Sequence, residues 1–120
     1  MFSTDLILKK GAGNKWIVTS PLIFVWEEEK RVFYVPEGFE TDLASIPAPF
    51  RNVLPVNDSH VRAAVLHDFL FREHRRLDMT RKECDEIFLL AMTEDEVPLW
   101  KRYALYAGVR VGGWIKFNEC

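Results

Sequence analysis

His67, Asp68 and Asp85 are the residues of this chain whose types and spacing can do chemistry. Histidine takes up and releases a proton near neutral pH. A carboxylate against one ring nitrogen fixes its tautomer and stabilises the imidazolium, the part played by the third member of a catalytic triad. A further carboxylate can ligate a hard cation. The stretch AAVLHDFLFREH carries His67 and Asp68, and RKECDEIFLLAM carries Asp85.

Helical spacing decides whether these groups can meet. On a wheel, Arg62, Leu66, Phe69 and Glu73 form one stripe, whose charged ends mark it as the exposed side. Asp68 lies off that stripe with Val61, Ala64 and Val65, and His67 shares a face with Ala63, Ala64 and Phe71. Both are expected to point inward or into a cleft, where a carboxylate is costly unless it meets a cation, a metal or several donors. Asp85 lies three, four and seven residues before Phe88, Leu89 and Met92, on the apolar face of its own helix. Two short antiparallel helices would set Asp85 against a ring nitrogen of His67. The expected site has His67 as general base, Asp85 as its orienter, and Asp68 with Asp42 as ligands for calcium or magnesium. The same residues also fit a purely structural network, since an inward Asp often caps a helix or bonds backbone amides.

The elements that must position them follow from patterning. DLILKK, KWIVTS, LIFVWEE and RVFYVP read as strands within residues 5–36, with EEEK as a polar hairpin connection. Pro36 and Gly38 close the strand region. Residues 37–57 hold Pro47, Pro49 and Pro55 and read as an ordered loop with one short helical turn. Asp58 or Ser59 caps a helix to about His74, and Thr80-Arg-Lys-Glu83 is a capping box opening a helix to about Thr93. Pro98 suits the first turn of a third helix, which Gly112-Gly113 ends or kinks. Strands first and helices after predict an α+β fold, a β-hairpin or small antiparallel sheet packed on a three-helix unit. One domain is expected over 1–120, β-rich to 36, loop to 57 and helical over 58–116.

Two further groups are candidates for binding. In the TDLASIP loop, Thr41 and Ser45 supply hydroxyls that can position substrate or water, or simply form turns that satisfy local amides. Arg72, Arg75 and Arg76, with Arg81 and Lys82 close by, make the helix–helix connection locally positive. Such a patch can hold a phosphate, an anionic lipid headgroup or an acidic partner, or can be a solvated turn.

Three separated blocks carry a resemblance. VPEGFETDLASIP, AAVLHDFLFR and RKECDEIFLLAM, within about residues 35–115, resemble a family of small phage and prophage proteins with no assigned function. That resemblance implies a phage or prophage origin, with phage or host proteins as partners and the host cytoplasm or the virion as location. A weaker resemblance is to secreted and viral phospholipases A2, which place His-Asp on a long helix and a second Asp on an antiparallel one. His67, Asp68, Phe71 and Asp85 follow that order. The resemblance implies that His67 activates water, Asp68 binds calcium and Asp85 orients His67, on an anionic or lipid ester substrate. Phe71 stands where that family has Tyr, and neither its glycine-rich calcium loop nor its disulfides are present.

Composition sets the bounds. The 120 residues are 48% hydrophobic and 28% charged, an ordinary globular mixture. A net charge of −2 lacks the basic field of a dedicated nucleic-acid binder. No apolar run approaches a membrane span. Cys84 and Cys120 make no disulfide framework, which suits a reducing compartment. The expectation is a phage-derived small protein with a metal-assisted, phospholipase-like ester hydrolase site. The alternative is a virion, tail or assembly component, or a host-factor binder, without catalysis.

Overall fold

The β-rich patterning of the first third becomes five short strands in the computed structural model, which describes residues 1–13, 15–41 and 59–119. Strands β1 (Leu8–Lys10), β2 (Trp16–Val18) and β5 (Glu40–Thr41) form one antiparallel sheet in the order β1-β2-β5. Its register pairs Leu8 with Val18 and Trp16 with Thr41. Strands β3 (Leu22–Trp26) and β4 (Arg31–Val35) form a separate hairpin, with Phe24 opposite Phe33. Its connection is the expected EEEK segment, closed by Lys30 in the left-handed region at φ 53°. Alternation along β4 buries Phe33 and Val35 and leaves Val32 and Tyr34 exposed.

Strand β5 was not expected, since its residues read as the start of a loop. Its cause is the turn before it: Gly38 takes φ 92° and donates its N–H to the Val18 carbonyl at 2.7 Å. The chain is thereby laid back along β2. Residues 42–57 of the loop expected over 37–57 lie outside the described residues.

Among the described residues four helices follow: α1 (Val61–Arg72), α2 (His74–Leu77), α3 (Arg81–Glu94) and α4 (Leu99–Glu119). The α+β class, with an N-terminal sheet region and C-terminal helices, is as expected. Thr80 and Glu83 form the complete capping box at the start of α3. His60, rather than Asp58 or Ser59, takes the N-cap position of α1. Pro98 precedes α4 and accepts from the Arg102 N–H at 2.8 Å, so it stands at the cap rather than in the first turn. Contacts of His67 with Asp85 and of Arg62 with Asp95 run in opposite senses, so α1 and α3 are antiparallel.

Two helix expectations are corrected. The stripe Arg62, Leu66, Phe69, Glu73 is not an exposed side, for Leu66 is 0% and Phe69 3% exposed. Phe39 covers Phe69 edge-on at 5.5 Å, and Arg62 is clamped by Asp95, the Thr4 carbonyl and the Phe2 ring. With cover on this side as well, α1 becomes the central helix of the core. Gly112-Gly113 does not end α4, which continues through both. A Cβ on Gly113 would lie 3.3 Å from the Phe71 ring, so this glycine serves a close approach of α4 to α1. Among the described residues no helix is long and apolar enough to cross a membrane.

Candidate functional site

The capping box starts α3 so that Asp85 falls in its second turn, facing α1. There Asp85 Oδ1 lies 2.6 Å from His67 Nε2, with His67 1% and Asp85 0% exposed. A carboxylate only accepts, so Nε2 carries the hydrogen and donates, and in the neutral ring Nδ1 holds the lone pair. The ring is gripped between Phe71, 4.1 Å away centroid to centroid, and Phe88 at 4.8 Å. Both clamping rings come from the helices that bear the pair, one turn beyond His67 and just past Asp85. The geometric expectation for His67 and Asp85 is met.

The second oxygen of Asp85 is held from α4 and from α3 itself. Arg110 Nη1 donates to Oδ2 at 2.8 Å, and Arg81 Nη1 approaches the same atom at 3.5 Å. Arg81 also donates to the Arg110 carbonyl at 3.1 Å, which ties α3 to α4. Two guanidiniums against one carboxylate compensate its burial and bias its charge toward them. Arg81 was expected in the basic patch at the helix connection and not beside Asp85, and Arg110 was not expected at the site. Arg81 was legible, since it precedes Asp85 by four positions on one helix face. Arg110 was not, because only the crossing of α4 over α3 brings it in.

Cys84, beside Asp85, is buried, and its thiol is pushed up to about 12 by burial first and then by the charges of Asp85 and Glu83. Such a thiol is not a nucleophile at neutral pH.

Asp68 faces elsewhere. One residue along a helix turns about 100°, so neighbours His67 and Asp68 meet different elements. Asp68 is 0% exposed, with Oδ2 3.2 Å from Arg72 Nη2. Arg72 in turn donates from Nη1 to the Glu40 carbonyl at 2.6 Å and lies over the Phe39 ring. This junction fastens α1 to β5, where Thr41 is fully buried. Asp42 and Ser45 lie outside the described residues, so the expected Asp42–Asp68 pair does as well.

Among the described residues no group of three or more His, Cys, Asp or Glu is placed to hold a metal ion. Asp68 has its carboxylate against a guanidinium, which competes with a cation for the same oxygen. The described donors therefore do not by themselves make a calcium or magnesium site.

The three arginines of the expected anion patch separate. Arg72 is committed to the Asp68 junction, whereas Arg75 and Arg76 are exposed on α2. Arg76 makes a loose pair with Glu73 at 3.5 Å, of the kind that contributes little.

No curated protein and no solved structure is significantly similar to this chain. A family model matches residues 16–109, from β2 into α4, a span that contains His67, Asp68, Arg72 and Asp85. With both polar junctions of α1 inside that match, the chain belongs to the family described as Protein of unknown function (DUF1353).

Proposed function

We propose that the chain is a hydrolase of esters in which His67 is the general base and Asp85 its orienter. The observation that carries this reading is the 2.6 Å contact from Nε2 to Asp85, which fixes the ring's orientation and favours its protonated form. In the proposed reaction His67 removes a proton from water as its oxygen attacks the ester carbonyl carbon. The imidazolium then returns that proton to the departing alkoxide. Asp85 stabilises the imidazolium, and the phenyl rings of Phe71 and Phe88 hold its plane. The exposed Arg75 and Arg76 suit an anionic substrate approaching from the α2 side. No step is routed through a cation. Calcium or magnesium on Asp68 and Asp42 is a separate element of the proposal.

A second reading rests on a different observation, the 1% exposure of His67 between two rings. In that reading the His67–Asp85–Arg110 network locks three helices together, and the protein is a phage virion or assembly component or binds a host factor.

The test is hydrolysis of nitrophenyl esters of graded chain length and of phospholipid in mixed micelles, by wild type and His67→Gln. The proposal expects hydrolysis by wild type and a loss of at least about a hundredfold in the variant. Wild-type rates no higher than buffer, or equal rates for both proteins, would overturn it. A chelator arm decides the cation separately: an undiminished rate rejects it.

A further inference from the structure

Arg81 and Arg110 each hold the protein by one nitrogen and leave the rest of the guanidinium open. Every contact of Arg81 runs from Nη1: to Asp85 Oδ2 at 3.5 Å, to the Val109 carbonyl at 3.4 Å and to the Arg110 carbonyl at 3.1 Å. Arg110 likewise uses Nη1 alone, on Asp85 Oδ2 at 2.8 Å. Nε and Nη2 form the edge of a guanidinium that meets an oxyanion with two parallel hydrogen bonds. Among the described residues that edge has no protein partner on Arg81 or on Arg110. The arginines that serve the fold do the reverse. Arg62 commits Nε and Nη2 to Asp95, and Arg102 commits both to the Val97 carbonyl.

Positive charge is also left over at this junction. His67 and Arg110 already occupy the two oxygens of Asp85 at 2.6 and 2.8 Å, whereas Arg81 stands at 3.5 Å, beyond a good hydrogen bond. Among the described residues Asp85 is the one carboxylate paired with either guanidinium, so two cations face one anion. Like charges held this close repel, and a further anion between them offsets that repulsion. The arginine side chains are 24% and 33% exposed and Asp85 behind them is at 0%, so a solute reaches the arginines and not the carboxylate.

We propose that Arg81 and Arg110 form a binding site for a phosphate-class oxyanion at the junction of α3 and α4. Both Nη1 atoms lie within 3.5 Å of one oxygen, a spacing at which one tetrahedral anion is within reach of both guanidiniums. The planar, permanently charged fork of arginine matches phosphate oxygens, which an ammonium cannot do. Asp85 and the carbonyls of α4 already hold both side chains in place, so little ordering is left for the ligand to impose. The site does not rest on ester hydrolysis: it is read by binding without turnover, so either reading can fail while the other stands.

Calorimetric titration of the full chain with inorganic phosphate at low ionic strength tests the site, and NMR of the arginine Nε–H groups locates it. Wild type is expected to bind one phosphate saturably and to shift the Nε–H signals of both Arg81 and Arg110, which reads Arg110 without stranding Asp85 by substitution. Arg81→Gln, which loses only the longer contact to Asp85, is expected to stay folded by circular dichroism and thermal melting and to weaken binding at least about tenfold. Arg81→Lys keeps the charge without the fork and is expected to recover only part of that loss. Lys9→Gln removes the same charge from an exposed position on β1 and is expected to change binding by less than about twofold. No saturation by about 10 mM phosphate would overturn the proposal. So would equal weakening by Arg81→Gln and Lys9→Gln, or saturation that leaves both Nε–H signals unmoved. Dihexanoylphosphatidic acid below its micelle concentration separates the two sources of such a group. Tighter binding than inorganic phosphate assigns the site to a lipid headgroup, and equal or weaker binding assigns it to a free phosphate.

Discussion

Arg110 donates to Asp85 Oδ2 at 2.8 Å, and His67 meets the other oxygen of the same carboxylate at 2.6 Å. One buried carboxylate thus joins the imidazole on α1 to a guanidinium on α4. The two neighbours act on it in opposite senses. A protonated His67 is favoured by Asp85 and disfavoured by the fixed charges of Arg110 and Arg81.

An NMR titration of the His67 ring reads this balance. Asp85→Asn removes the charge that favours imidazolium, so the His67 midpoint should fall. Arg110→Gln removes a charge that opposes it, so the midpoint should rise. Shifts of the same sign in the two variants, or none in either, would show that the carboxylate does not mediate between them.

Arg62 makes a two-pronged contact with Asp95, Nε to Oδ2 and Nη2 to Oδ1, both at 2.6 Å. The hydrogen bond to Asp95 raises the already high pKa of Arg62, so its charge persists across the accessible pH range. The guanidinium also reaches the Thr4 carbonyl and covers Phe2, tying the N-terminal segment to α1 and α3. Arg62→Ala should cost about 1.5–3 kcal/mol, the range for hydrogen bonds to charged groups. Arg62→Lys should recover only part of it, since an ammonium cannot make the fork. Urea denaturation of the three proteins measures both, and a loss below about 0.5 kcal/mol for the alanine variant would contradict the assignment.

Cys84 gives a pH prediction with a defined sign. Its folded-state pKa of about 12 stands above the usual 9.0, because burial opposes the thiolate. Its contribution to stability is fully present below pH 9 and is lost as pH rises toward 12. In a Cys120→Ser background, iodoacetamide should leave Cys84 unmodified at pH 8 to 9 and label it once the chain is unfolded. Rapid labelling of the folded protein would contradict its burial.

Much of this arrangement was legible from one-dimensional spacing. Four strands, the capping box of α3 and the inward aim of His67, Asp68 and Asp85 follow from local patterns with periods of two and 3.6. What failed depended on neighbours distant in sequence. Leu66 and Phe69 looked exposed because Arg62 and Glu73 share their stripe, and only Phe39, Phe2 and Asp95 reverse that. Gly113 looked like a helix end, yet Phe71 across the interface is what requires it. Arg110 carried no local signal of its role at all. Asp42 and Ser45, singled out by their loop, lie outside the described residues.

The direct measurement is the ester-hydrolysis rate of Asp85→Asn against wild type, taken where both proteins are shown to be folded. Asn keeps the shape of Asp85 but loses the charge that stabilises a protonated His67, and its amide can present a donor to Nε2 and so favour the wrong tautomer. The account predicts a rate lower by about 10²–10⁴. A variant that hydrolyses ester as fast as wild type would contradict it, and the His67–Asp85 pair would then be a lock between helices rather than a base and its orienter.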